Sequence, residues 1–438
     1  MSDQLITGID IGTNKIGVVI AQLGEDELSP RIMGFSSVDS KGVRRGQIVD
    51  INQVTDSIEK AVEQAERMAG AKVQNAYVTV GGPHIESLNS QGVVAVSSPD
   101  VEISGEDVNR VVEAAKAISL SSTREVIEVI PREFIVDGQP GIKNPVGMTG
   151  VRLEVNTHII TASLTNLRNV ERSLSDLGIS VVSYVFSGLS SALSSVTETE
   201  KELGVALIDV GGGKTDIAMY IDGSLSYSSS IPIGAKHVTN DIAVGLRVSL
   251  ESAEKIKKFI SKHEKQDHEK EHQVHRGHFG RSPEVSKSKD DFDISSLHLP
   301  EGLNSLSHKT VTDGVIRPRV EELFSHILDH IDKSGFATAI PSGLVITGGG
   351  ALTYGVLDGA RRVVGLPARI GIPTGLSGLV DEVMFPQYAS TAGLLLYAAG
   401  YKKEGSDMSF KDFDKILKNF RPSAGVKKIK DLFKSFLP

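Results

Sequence analysis

The chain has 438 residues, 39% of them hydrophobic and 23% charged, with a formal net charge of −8 and no cysteine. That length supports roughly two to four domains with real cores, and the acidic balance argues against a general nucleic-acid binder. The lack of thiols excludes disulfides, thiolate metal sites and cysteine nucleophiles, and it suits a reducing cytoplasm.

Residues 5–9 and 16–21 read as short apolar strands joined by the turn Asp10-Ile11-Gly12-Thr13-Asn14-Lys15. The first run is too short for the apolar region of a signal peptide. No apolar run reaches the ~18 residues of a membrane span. Residues 54–68 have helical periodicity and stop at Gly70, and 76–80 form a strand ended by Gly81-Gly82-Pro83. From His84 to about Ile160, strand-like stretches surround one helix at 106–117, opened by Ser104 as its cap. This pattern predicts an inserted α+β domain. Residues 166–177 read as a helix closed by Gly178, 181–186 as a strand and 187–195 as a helix.

The strand at 205–208 then leads into Asp209-Val210-Gly211-Gly212-Gly213-Lys214-Thr215-Asp216. Ile9-Asp10-Ile11-Gly12 lines up with Ile208-Asp209-Val210-Gly211, and Lys15 falls on Lys214. Two strand–turn–strand copies so far apart imply a duplicated domain with a cleft between the copies. Residues 242–260 read as helical. Residues 261–291 are polar and carry His263, His268, His272, His275 and His278. They read as a mobile loop, with no acid or thiol scaffold to fix a metal geometry. A helix at 320–331 and a strand at 344–347 follow, the strand ending in Gly348-Gly349-Gly350-Ala351. Residues 389–399 read as a buried helix.

Three glycine-rich turns thus follow apolar strands. Glycine lets backbone amides approach phosphate oxygens without a Cβ in the way, and consecutive amides form an anion nest. Thr13, Asn14 and Thr215 can add side-chain donors, and Lys15 and Lys214 can neutralise phosphate charge. Asp10 and Asp209, one at each strand end, suit Mg²⁺ held through its waters. No Walker A loop is present, because no Gly-x-x-x-x-Gly-Lys-Ser/Thr opens a helix.

Residues 410–420 place Phe410, Phe413, Leu417 and Phe420 on one face, and a break at Pro422-Ser423-Ala424-Gly425 follows. Beyond it, Val426, Ile429, Leu432, Phe433, Phe436 and Leu437 share one helical face. Lys427, Lys428, Lys430 and Lys434 occupy the rest, and Asp431 is the lone acid. Such a helix is expected to lie on an anionic membrane surface, each lysine adding about 1 kcal/mol. Packing on its own domain or in a partner's groove is the alternative. One copy of so short a helix would dock weakly, whereas a row of copies on a polymer gains avidity.

The glycine-rich turns resemble the actin-like ATPase superfamily: Asp10 to Lys15 its first phosphate loop, Asp209 to Asp216 its second, Gly348 to Ala351 its adenosine loop. Within it the chain is most similar to the FtsA family of bacterial cell division. The residues that carry this are Gly8-Ile9-Asp10-Ile11-Gly12-Thr13, Tyr77-Val78-Thr79-Val80-Gly81-Gly82, Glu202-Leu203-Gly204-Val205, His237-Val238-Thr239-Asn240-Asp241-Ile242-Ala243 and Ile316-Arg317-Pro318-Arg319.

The resemblance implies an α/β fold of duplicated actin- or ribonuclease-H-like lobes around a nucleotide cleft, with an inserted α+β subdomain and a C-terminal amphipathic helix. The expected divisions are 1–83 and 161–200 for the first lobe, closed by 376–401, with the insert at 84–160. The second lobe takes 201–230 and 316–375, its outer part 231–315 including the loop 261–291. A linker at 402–423 leads to the membrane-targeting segment 424–438. The same resemblance implies ATP and Mg²⁺ as ligands, with Glu254 and Lys257 near the adenosine. An ordinary exposed ion pair is the other reading of those two. It also implies self-polymerisation, and recruitment of the C-terminal peptide of the tubulin-like GTPase FtsZ near Arg319, which reads otherwise as a surface cation at a helix start. Downstream division proteins, anionic lipid and a place on the cytoplasmic membrane face at the septum complete the expectation. Arg317 stands where that family often carries an acid. No residue is assigned as a general base, and hydrolysis, if any, is expected to be slow. A small-molecule kinase or a PilM-like pilus scaffold of the same superfamily are the competing readings.

Overall fold

The computed structural model describes residues 4–24, 29–96, 102–274, 291–379 and 381–403. Strands β1 (Gln4–Ile11), β2 (Lys15–Leu23) and β3 (Arg31–Asp39) form a meander, followed by a small hairpin, β4 (Val43–Arg44) and β5 (Gln47–Ile48). Helix α1 (Ile51–Ala69) starts where the Asp50 carboxylate accepts the Gln53 amide at 3.0 Å and stops at Gly70, whose φ of 67° admits the left-handed cap. Its Val54, Ile58, Ala61, Val62 and Ala65 are buried, one stripe at helical spacing. Strand β6 (Asn75–Val80) follows.

The insert contains β7 (Glu86–Ala95), α2 (Gly105–Lys116), β8 (Arg124–Val136), β9 (Gln139–Ile142) and β10 (Arg152–Ser163). Ser104 and Asp107 close a capping box at the start of α2, so the expected helix and its cap are both present. Helix α3 (Leu164–Ser175), β11 (Ser180–Phe186), α4 (Ser187–Ser195) and α5 (Glu198–Leu203) lead into the second lobe.

That lobe opens with β12 (Val205–Val210), β13 (Thr215–Ile221) and β14 (Ser224–Ile231). Helices α6 (Ala235–Leu246) and α7 (Leu250–Val274), the short pair β15 (Asp291–Asp293) and β16 (Ser305–Ser307), α8 (His308–Val311) and α9 (Arg317–Lys333) follow. Strand β17 (Leu344–Thr347), α10 (Val356–Val364), β18 (Ala368–Ile370), β19 (Ser377–Gly378) and α11 (Ala389–Lys403) complete the described chain.

Two departures from the sequence reading stand out. Arg247, with a φ of 55°, interrupts the helix expected at 242–260 and splits it into α6 and α7. Helix α7 then continues through Val274, so the first part of 261–291 is helical and not loop. Residues 275–290, the segment 410–420 and the terminal segment 424–438 lie outside the described residues.

The duplication is explicit in the sheets. The first has the order β11-β6-β1-β2-β3-β19, the second β14-β13-β12-β17-β18. In each, a three-stranded antiparallel meander continues through parallel strands on the side of its first member. Along β12, Ala206, Ile208 and Val210 enter the second lobe's own core, while Val205 and Leu207 enter the core shared with the first lobe. This is the period-two alternation of a strand buried on both faces. Helices α4 and α11 lie in that shared core through Leu189, Ala192, Leu394 and Leu395. They cross so closely that a Cβ on Gly393 would sit 1.7 Å from the Ser190 carbonyl oxygen.

The insert forms its own four-stranded sheet, β7-β10-β8-β9, with α2 on one face. It meets the second lobe through a polar seam along β14. The Ser87 hydroxyl donates to the Ser228 carbonyl at 2.7 Å, Arg132 Nε to Ser226 Oγ at 2.8 Å, and Asn89 Nδ2 to the Ser226 carbonyl at 3.3 Å. His158 bridges Asn89 at 2.8 Å and Ser228 Oγ at 3.0 Å.

Candidate functional site

The two phosphate-loop candidates are the hairpin turns of β1–β2 and β12–β13. They close alike: the Gly12 amide donates to the Lys15 carbonyl at 3.0 Å, and the Gly211 amide to the Lys214 carbonyl at 2.9 Å. The turns face each other across the cleft. A Cβ on Gly212 would lie 2.5 Å from Asn14 Cγ, and one on Gly213 would lie 2.8 Å from Thr13 Cγ2. Only glycine permits this approach. Lys236 Nζ reaches the Thr13 carbonyl at 3.3 Å, and Thr13 Oγ1 accepts the Gly46 amide at 3.1 Å. Thr215 is committed elsewhere, its hydroxyl donating to the Ile233 carbonyl at 2.8 Å.

Each strand-end aspartate is held by hydroxyls. Asp10 Oδ1 accepts Thr79 Oγ1 at 2.6 Å, and its Oδ2 accepts Ser390 Oγ at 2.8 Å. Asp209 Oδ2 accepts Ser191 Oγ at 2.5 Å. Burial, together with the neighbouring Asp216, pushes the Asp209 carboxyl up to about 6. A carboxylate made so costly to ionise suits a site that receives a cation. Among the described residues no group of three or more His, Asp or Glu side chains forms a metal cage. Asp10 and Asp209 would suit Mg²⁺ as outer ligands, reached through its own waters.

The two lysines differ from the simple expectation. Burial lowers Lys15 to about 8, against the raising pull of Asp10 and Asp209. Its ammonium donates to the Gln387 carbonyl and sits 3.6 Å from the centre of the Tyr388 ring. Lys214 pairs with Asp216 and donates to Ser187 Oγ at 2.6 Å. Asp216 also accepts Ser187 Oγ and Ser230 Oγ, both at 2.6 Å.

The third turn approaches from the second lobe. Gly348 adopts a φ of 82°, and a Cβ there would lie 2.2 Å from Asp209 Oδ1. Gly349, Gly350 and Ala351 form a short 3₁₀ turn behind it. Gly350 lines a small apolar hollow with Val210, Gly234, Ala235, Val238 and Thr353. Glu254 and Lys257 lie nearby on α7 and pair at 2.7 Å. Both contact Thr239 Oγ1, at 2.6 and 2.8 Å, and Lys257 also reaches the Ala235 carbonyl at 3.3 Å. Lys257 is buried, so this is not an ordinary exposed pair. Arg319 binds Asp241 with Nε at 2.5 Å and Nη2 at 3.1 Å, fastening α9 to α6. Its charge is thus engaged within the chain.

The hydroxyls of Thr79, Ser187, Ser191, Ser230 and Ser390, the carboxylate of Asp216 and the imidazole of His84 join the site without having been expected there. Two of these had a signal: Asp216 stands two residues past the duplicated lysine position, and Thr79 lies within the Tyr77–Gly82 motif.

Two lobes of one topology, each bringing an aspartate and a glycine-rich hairpin to a common crevice, define a protein of the actin-like ATPase fold class. Residues 82–161 match the SHS2 domain inserted in FTSA, and residues 206–393 match Cell division protein FtsA. The chain belongs to the FtsA family of cell-division proteins. Cell division protein FtsA of Borreliella burgdorferi is 39% identical over 399 residues, 91% of each chain. That of Bacillus subtilis is 36% identical over 413 residues, 94% of this chain and 87% of that one. The Pseudomonas aeruginosa protein is 34% identical over 409 residues, 93% and 92% of the two.

More distant structures share the fold alone. One is a PilM–PilN type IV pilus biogenesis complex, with a TM-score of 0.62 and 14% identity, covering 90% of this chain and 98% of that one. Another is MreB5 of Spiroplasma citri bound to AMPPNP, with a TM-score of 0.51 and 15% identity, covering 92% and 98%.

Proposed function

We propose that the chain binds ATP with Mg²⁺ between its lobes, stacks on copies of itself, and ties the FtsZ ring to the cytoplasmic face of the cell membrane at the division septum as a peripheral protein. The observation that carries this is the opposition of the Asp10 and Asp209 hairpins, with Gly348 closing over Asp209. Amides of Thr13 and Asn14 on one side and of Gly212 and Gly213 on the other would cradle the phosphates. Lys15, already drawn toward both aspartates, would add charge. Lys214 would do so only by leaving Asp216. Bound Mg²⁺ would neutralise phosphate charge.

Nucleotide would act mainly by favouring one lobe arrangement over another. Closed subunits would stack, and stacking would sum many weak tails, with Val426, Ile429, Leu432, Phe433, Phe436 and Leu437 entering the lipid. The FtsZ peptide would dock on the second lobe around α6 and α9, whose junction Arg319 and Asp241 hold. Downstream division proteins would join the assembled filament. Electron microscopy of the full chain on anionic lipid monolayers tests the scheme. Filaments are expected on lipid with ATP and none with Asp209→Ala. Equal filament formation by that variant would count against a nucleotide-driven assembly.

A further inference from the structure

Beside the phosphate hairpins lies a cavity on the first-lobe side, lined among others by Asp10, Gly12, Thr79, His84, Ser187 and Lys214. His84 follows the Gly81-Gly82-Pro83 turn at the end of β6. Its two ring nitrogens are buried and have no hydrogen-bond partner. Buried polar atoms are nearly always paired, so such a ring calls for an occupant. Ser187, Lys214, Thr79 and Asp10 on the cavity wall are already engaged. Ser187 accepts from Lys214 and donates to Asp216, and Asp216 receives Ser230 besides. Asp10 receives Thr79 and Ser390. His84 thus presents a donor and an acceptor, both buried, to the cavity beside the first phosphate hairpin.

We propose that His84 positions the water that attacks the terminal phosphate of a bound nucleoside triphosphate, with the Ser187–Lys214–Asp216 cluster fixing the opposite wall. The inference rests on the nucleotide reading above. A neutral imidazole accepts one hydrogen bond and donates another, which orients a water completely. Burial and the nearby Lys214 and Arg124 hold the ring neutral, its pKa lowered to about 4. The water oxygen forms the new bond to the terminal phosphorus while the bond from that phosphorus to the bridging oxygen breaks. The diphosphate leaves with the electron pair, and both water protons end on the released phosphate. Catalysis of this kind is positioning more than proton removal.

The test uses the full chain with Mg²⁺ and compares calorimetric affinity for ADP with that for ADP plus aluminium fluoride, which imitates the transferring phosphoryl group with its apical water. Wild type is expected to bind the imitation at least about tenfold tighter than ADP. His84→Ala is expected to lose that preference while its ADP affinity and melting temperature stay near wild type. His84→Asn, which keeps a polar atom near Nδ1, should recover part of it. Single-turnover hydrolysis should fall in the same order. The proposal is overturned if His84→Ala keeps the preference, if wild type shows none, or if ADP affinity and melting temperature fall along with it. Wild type that binds no nucleotide at all would overturn this inference and the reading beneath it together, whereas intact ADP binding without the preference would overturn this one alone.

Discussion

Ser191 on α4 donates its hydroxyl to Asp209 at the end of β12, 2.5 Å away, and so couples a helix of the shared core to the second phosphate hairpin. Asp209→Ala removes this tether and, on the proposed nucleotide reading, an outer ligand of the cation. ATP affinity is expected to fall at least about tenfold, or 1.4 kcal/mol, and pairing the change with Gly211→Val should deepen the loss. Fluorescence titration with a labelled ATP reads this directly, and an unaltered constant would refute the cleft assignment.

Gly348→Ala attacks the same aspartate from the other side. The residue sits at a φ of 82°, and its new methyl would press within 2.2 Å of Asp209 Oδ1. Relief requires moving either Asp209 or the Gly349–Leu352 turn. We expect weaker nucleotide binding together with a lower melting temperature, because a non-glycine residue at positive φ costs roughly 1 kcal/mol or more before any clash is counted. Gly355→Ala, where a Cβ meets nothing within 4 Å though φ is 71°, serves as the comparison. A melting temperature no lower than that of Gly355→Ala would contradict the close approach.

Removing 426–438 deletes the whole apolar stripe and the four lysines of the tail. Co-sedimentation with anionic liposomes should be abolished while ATP affinity is retained. Pelleting that persists at the wild-type level would place membrane attachment elsewhere in the chain.

His158 gives a pH prediction. Burial, then Arg132, lowers its pKa to about 3, below the unfolded value near 6.5. As pH falls, the unfolded chain takes up the proton first, so wild type loses stability from about pH 6.5 down to about 3, by up to about 1.4 kcal/mol per pH unit. His158→Gln carries no such term. Its melting temperature should lie below wild type at pH 7, and the gap should narrow by pH 5. A gap independent of pH would show that the ring is not held neutral in the seam.

Much of the architecture was legible because burial leaves a periodic trace. The strand at β12 alternates between two cores, and the stripe on α1 repeats at helical spacing. The duplicated hairpins were legible because their closing geometry demands small residues. The partners of the aspartates were not. Thr79, Ser191 and Ser390 stand 69, 18 and 380 positions from the carboxylates they bind, and a lone hydroxyl carries no spacing signal. Lys214 was legible as a cation, but not its attachment to Asp216, since sequence says nothing of rotamer. The extension of α7 past Ile260 was hidden by its polarity. Its Glu, Lys and Gln residues are good helix formers, and weighting that propensity over the loss of an apolar face would have found it.

The contact between the insert and β14 has a consequence for how firmly that module is seated. Ser226 and Ser228 meet Ser87, Asn89, Arg132 and His158 through hydroxyls, amides and charged nitrogens. Parting these surfaces would bare groups that water solvates nearly as well as protein does. The penalty for tilting the module along this seam therefore scales with lost pairings, while Ile160 and Ala162 of β10, set in the shared apolar core, resist outright separation.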